Sequence, residues 1–162
     1  MSKIKIITGK IRSGKTTFLM NLISSLNEVE GILQPSVGEN RFFYHIKSNE
    51  FKEITSNVED ETTFRIGKFV FSNESFSWAK MILQKAIRNK DKTIIIDEYG
   101  PLEQDGKGLE PEVSEIVAIV KNENNRNLII AIREALVDEF LLKFHLNKSE
   151  VEIIKIEINQ EF

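Results

Sequence analysis

The octet Gly9-Lys10-Ile11-Arg12-Ser13-Gly14-Lys15-Thr16 fills every fixed position of the pattern G-x-x-x-x-G-K-T, and Thr17 follows directly. Residue types at this spacing bind phosphate. Gly9 and Gly14 let the backbone turn tightly and approach anionic oxygens with no Cβ in the way. The N–H groups of the loop, through Thr17 and the start of the next helix, then form a concave anion site. Lys15 supplies a point charge for the β- and γ-phosphates, and the Thr16 hydroxyl is placed to ligate Mg²⁺.

A second run carries acids. Thr93-Ile94-Ile95-Ile96-Asp97-Glu98 reads as a strand buried on both faces that ends in two carboxylates. Such an acid-terminated strand is the Walker B arrangement, in which Asp97 holds the Mg²⁺ opposite Thr16. Glu98, one residue further on, is available to orient an attacking water or accept its proton. A water-activating acid favours hydrolysis over a pure binding switch.

Elements must place these groups together. Ile4-Lys5-Ile6-Ile7-Thr8 is a short β-rich segment before the loop, and Phe18, Leu19, Leu22, Ile23 and Leu26 recur at helical spacing after it. The loop therefore sits between a strand and a helix, the setting the motif needs. Residues 31–37 read as a second strand. Residues 41–47 and 51–55 read as a hairpin, and 63–71 as a further strand. This stretch, about 38–72, is rich in phenylalanine and is expected to form an accessory sheet on the main domain. Core packing is the expected role of its rings, with base stacking as the sharper alternative.

Next comes a helix over about 74–88, capped by Ser72 or Asn73, with Phe76, Ala79, Leu83 and Ala86 on one side. Beyond the acidic strand, Gly100 to Gly108 is read as a loop, within which Gly106-Lys107-Gly108 either closes over nucleotide or is a plain mobile turn. Pro111 suits the first turn of another helix. Asn127 to Arg133 is a buried strand ending in a charge, Leu136 to Phe144 a helix, and Val151 to Ile156 a last strand. Apolar strands alternating with helices specify an α/β fold: a three-layer sandwich with a mostly parallel sheet, crossover helices and a small antiparallel β insert. Ligands bind such sheets at the carboxyl ends of strands, where Thr8, Asp97 and Arg133 all lie. The Asp97-Glu98 pair suggests that another strand lies between the first strand and the acidic one.

The whole chain sets bounds. Its 162 residues fit one domain, taken here as 1–162, with 41% hydrophobic and 29% charged residues. A net charge of −3 argues against a dedicated nucleic-acid surface. There is no cysteine, hence no disulfide framework and no thiolate zinc site. Neither a signal peptide nor a membrane-spanning stretch is visible, so a cytoplasmic protein is expected. His45 and His145 lie in no metal-binding pattern and are read as surface or packing residues.

Together these segments resemble the P-loop nucleoside-triphosphatase family of thermophilic prokaryotes, to which the cancer-related nucleoside-triphosphatase is related. The resemblance rests on Thr8-Gly9 with Gly14-Lys15-Thr16-Thr17, on Asp97-Glu98-Tyr99-Gly100-Pro101-Leu102-Glu103, on Ile130-Ala131-Ile132-Arg133-Glu134, and on the β-rich insert. It implies slow, Mg²⁺-dependent hydrolysis of ATP, GTP and other triphosphates to the diphosphate and phosphate, with little base selectivity. It also implies that Arg133 attends the γ-phosphate; the alternative is a strand-end arginine paired with Glu134 or Glu98. Arg12 is expected to face solvent. Tyr99 stands where the family has an aliphatic residue, a departure expected to alter the wall of the site.

Three rivals remain. A nucleotide or small-molecule kinase of the same fold usually carries an arginine-bearing lid, whereas the six arginines here are scattered along the sequence. A non-catalytic triphosphate-binding switch is disfavoured by Glu98, and a nucleic-acid motor by the short, acidic chain. The sequence leaves the oligomeric state open.

Overall fold

In the computed structural model, which describes residues 3–157, the chain begins β1 (Ile4–Gly9), α1 (Lys15–Ile23), β2 (Val29–Leu33), β3 (Ser36–Val37), β4 (Asn40–His45), β5 (Phe51–Glu53), β6 (Thr63–Ile66) and β7 (Phe69–Ser72). It continues α2 (Asn73–Arg88), β8 (Thr93–Tyr99), α3 (Pro101–Gln104), α4 (Glu112–Asn122), β9 (Asn127–Arg133), α5 (Val137–Lys143) and β10 (Val151–Lys155).

Five strands form a parallel core in the order β10-β1-β9-β8-β2. β9 lies between β1 and β8, the inserted strand that the acidic pair suggested. Alternate side chains serve opposite faces, as the two-residue period of a strand requires. Ile4, Ile6, Ile94, Ile96, Leu128, Ile130 and Ile132 pack in one layer with residues of α2, α4 and α5. Ile7, Ile95, Ile129 and Ala131 pack in the other with Leu19 and Phe18 of α1. The runs 94–96 and 128–132 are apolar without a break because both faces are covered, whereas β1 is interrupted by Lys5.

α2 forms as expected. Ser72 caps it by accepting the Ser75 N–H at 3.3 Å, and Ala79, Ile82, Leu83 and Ala86 are buried. Gly31 shows how tightly β2 lies on β8. Its φ is +143°, and a Cβ there would sit 2.0 Å from the Ile95 carbonyl oxygen.

The insert is antiparallel as expected, but its pairing departs from expectation. β3, β4 and β5 are not a separate accessory sheet. β4 pairs antiparallel with β2, placing Ile32 opposite His45, and thereby extends the main sheet. Segment 63–71 is two strands rather than one, a β6–β7 hairpin turning at Gly67 with φ +57°. Hydrogen bonds from Ser72 N–H to Ile54 O and from Ser56 N–H to Val70 O strap it to the chain after β5. Its rings pack rather than forming an open platform: Phe71 is buried, and Phe64 and Phe69 lie against the core.

Candidate active site

The loop after β1 begins at Gly9, where the strand ends buried. A Cβ on Gly9 would meet Ser13 Oγ at 2.5 Å and Ile156 O at 2.6 Å, so only glycine fits. Gly14, at φ +94°, turns the chain into α1. Lys10, Ile11 and Arg12 are exposed, Ser13 is buried, and Thr17 is exposed on the first helical turn. Arg12 thus faces solvent as expected.

Lys15 Nζ reaches back over the loop and donates to Lys10 O at 2.9 Å. Burial lowers its pKa from the ordinary lysine value, against the opposing charges of Glu98 and Asp97. All three groups therefore share one field.

The phosphate loop meets the acidic strand through one contact. Thr16 Oγ1 donates to Asp97 Oδ2 at 2.6 Å, and the Gln34 N–H donates to the same oxygen at 3.0 Å. Burial pushes the Asp97 carboxyl up to about 6, with those two hydrogen bonds opposing it.

Consecutive residues of a flat strand point to opposite faces, so Asp97 and Glu98 need a device to serve one site. The device is a β-bulge. Ile96 sits opposite Ile130, and Tyr99 sits opposite Ile132, so β8 spends one residue more than β9 over the same span. Glu98 takes a left-handed φ of +85° within this step. Tyr99 is thereby returned to the layer that holds Ile96. It is buried against Phe140, ring centroids 5.0 Å apart, and its hydroxyl donates to Gln104 Oε1 at 2.8 Å. Tyr99 therefore does not wall the site, contrary to expectation, because the bulge reverses its side.

Glu98 is held between two guanidinium groups. Arg133, ending β9, donates from Nε at 3.0 Å and lies with Nη2 2.9 Å from the same Oε1. Arg41 of β4 donates from Nη2 to Oε2 at 2.8 Å. The scattered arginines thus do supply a pair at the site. Arg133 makes the Glu98 ion pair that the structural alternative named. Sequence reasoning missed Arg41, because the antiparallel β2–β4 pairing that delivers it leaves no signal beyond an arginine opening an aromatic strand.

Other candidates fall elsewhere. His45 Nε2 lies 2.9 Å from Oε1 of buried Glu30, a packing contact. The stretch from Gly106 to Gly108 is a hydrogen-bonded turn: Lys107 N–H donates to Leu102 O at 2.8 Å, and a Cβ on Gly108 would meet Glu103 Oε2 at 1.9 Å.

Among the described residues no three His, Cys, Asp or Glu side chains cluster to cage a metal. One hydroxyl and one buried carboxylate are the hard oxygen donors that suit Mg²⁺, which takes its remaining ligands from phosphates and water. Thr16 and Asp97 fit that description.

A parallel sheet with a phosphate loop after one strand and an acid-ended strand two positions away is a P-loop α/β domain. A family model described as NTPase matches residues 5–161, and the chain belongs to that family, a nucleoside-triphosphatase family. No curated protein matches the chain. Among solved structures, the crystal structure of THEP1 from the hyperthermophile Aquifex aeolicus is similar in fold, with a TM-score of 0.75 at 23% identity, covering 95% of this chain and 90% of that one. No helix among the described residues is long and apolar enough to cross a membrane.

Proposed function

We propose that this chain, acting as one domain over residues 1–162, hydrolyses nucleoside triphosphates to the diphosphate and phosphate with Mg²⁺. Slow turnover and weak base selectivity fit a site that grips the phosphates all such substrates share. The observation that carries the reading is the 2.6 Å contact between Thr16 and Asp97, made beside a bulge that turns Glu98 to the same side.

Thr16 and Asp97 would hold the Mg²⁺, which when bound neutralises charge on the β- and γ-phosphates. The loop from Gly9 to Thr17 binds the phosphate oxygens, and Lys15 meets the β- and γ-groups. Glu98 orients a water and takes its proton as the water oxygen bonds to the γ-phosphorus. The bond from that phosphorus to the bridging oxygen breaks, and its electrons leave with the diphosphate. Arg41 and Arg133 stabilise charge on the transferring group. A γ-phosphate offers both guanidinium groups a stronger partner than Glu98, so its arrival frees the carboxylate to act.

Phosphate release from ATP, GTP, CTP and UTP with no added acceptor tests the reading. We expect all four to turn over within about tenfold of one another, and EDTA to stop release. In the same assay Arg41→Ala and Arg133→Ala should lower turnover by at least about tenfold, more than they weaken affinity. Release indifferent to EDTA, or confined to one base, contradicts it.

A further inference from the structure

Beside the phosphate loop lies a chamber that hydrolysis does not need. Its volume is about 430 Å³, and the bonded trio of Arg41, Glu98 and Arg133 is part of its lining. No residue from Gly9 to Thr17 lines it, so it is not the phosphate cradle. Its walls are apolar: Phe69 and Phe71 of β7, Phe76 of α2, Ile54 and Ile66 of the insert, and Leu102 of α3. Three further charged residues line it: Lys68 and Asp105, both exposed, and Glu103, which is buried.

Magnitude decides what this space is for. An attacking water occupies about 30 Å³, less than a tenth of the chamber. Cavities of about 300–1,000 Å³ with apolar walls and a few convergent polar groups are the ordinary form of an organic-ligand site. A charged body would lose its hydration against these walls, whereas a ring or alkyl body would not. Aromatic packing and a proton-accepting carboxylate, the two things such an acceptor site requires, meet in this space: the Arg41 guanidinium that holds Glu98 lies 5.8 Å from the Phe71 ring centroid.

We propose that this chamber is a phosphoryl-acceptor site for a small uncharged alcohol with an aromatic or apolar body. The proposal rests on the reading that Glu98 faces the γ-phosphoryl group. The alcohol oxygen bonds to the γ-phosphorus, and the bond to the bridging oxygen breaks with its electrons going to the diphosphate. The hydroxyl proton passes to Glu98. The products are a phosphate monoester and the nucleoside diphosphate, and hydrolysis is the same step with water in the alcohol's place.

The test uses the full chain with Mg–ATP and 2-phenylethanol as the probe, its products followed by ³¹P NMR. A second probe, the methyl ether of 2-phenylethanol, has no proton to give. We expect the alcohol to yield a phosphomonoester that saturates with its concentration at the expense of free phosphate. The ether should lower kcat for phosphate release without changing KM for ATP, because it displaces water but not nucleotide. Leu102→Trp, which fills the chamber, should cut the ester-to-phosphate ratio at least tenfold. Ile66→Asp, on the exposed turn of the hairpin, should do the same where folding of the first variant is in doubt.

Free phosphate with no ester at any alcohol concentration overturns the acceptor site while leaving hydrolysis standing. An ether that raises KM for ATP overturns it too, since the nucleoside then occupies the chamber. Absence of phosphate release without probe sinks the hydrolytic reading instead, and ester formed under that condition still supports the acceptor.

Discussion

Glu98 and Glu103 are two carboxylates treated oppositely by the fold. Glu98 sits at the site with a left-handed backbone, φ +85°, a conformation that costs a non-glycine residue about 1–3 kcal/mol and persists where the surroundings fix it. Its side chain is half-buried and doubly paired. Glu103 is buried, with Oε1 accepting the Gly100 N–H at 3.2 Å; among the described residues no cation pairs with its carboxylate, Lys143 Nζ donating instead to its backbone carbonyl at 2.9 Å. Burial pushes its carboxyl up to about 8 from an ordinary 4.5. The folded state therefore keeps a proton that the unfolded chain releases above about 4.5. Stability is unaffected below that pH, falls as pH rises toward 8, and stays reduced above it. The loss is on the order of 5 kcal/mol. Glu103→Gln keeps the acceptor for Gly100 and removes the titration. Thermal melts should show parent and variant alike near pH 4.5 and the variant more stable at pH 8.5. A parent whose stability is flat between those values would show that Glu103 ionises normally.

At the scale of elements, the strands were legible and their irregularities were not. β8 and β9 announce themselves as unbroken apolar runs because burial on both faces demands it, and β1 keeps the pattern apart from Lys5. The loop was legible because phosphate binding constrains glycine, lysine and threonine at fixed spacing. The bulge between Ile96 and Tyr99 has no such mark, so strand alternation alone places Tyr99 at the wall of the site. The pairing of β4 with β2 was equally hidden, and with it the approach of Arg41 to Glu98. Long-range pairing depends on matching edges, which local pattern does not encode. The β2–β8 contact gives a prediction at this scale. Gly31→Ala drives a Cβ into the Ile95 carbonyl at an unfavourable φ, and should cost about 3 kcal/mol or more. Urea unfolding measures it, and a cost under about 1 kcal/mol would mean the two strands part easily.

For the whole molecule, the two helical layers clamp a sheet whose carboxyl edge gathers the residues of the candidate site. Thr16 comes from α1, Asp97 and Glu98 from β8, Arg133 from β9, and Arg41 from the insert that extends the sheet beyond β2. The insert thus has a part in the site as well as in the core: β4 brings a guanidinium group, and the β6–β7 hairpin walls the chamber beside it.

Single-turnover phosphate release from Mg–ATP, compared between the parent and Glu98→Gln, tests the central claim most directly. Nucleotide binding is followed in parallel as the thermal shift given by a non-hydrolysable triphosphate with Mg²⁺. At about 100 times Kd that shift should be about 5–10 °C for both proteins. Phosphate release by Glu98→Gln should fall by about 10²–10⁴-fold. A variant that still binds and still hydrolyses at the parent rate would contradict the placing of Glu98 beside the γ-phosphoryl group as the acceptor of the water's proton.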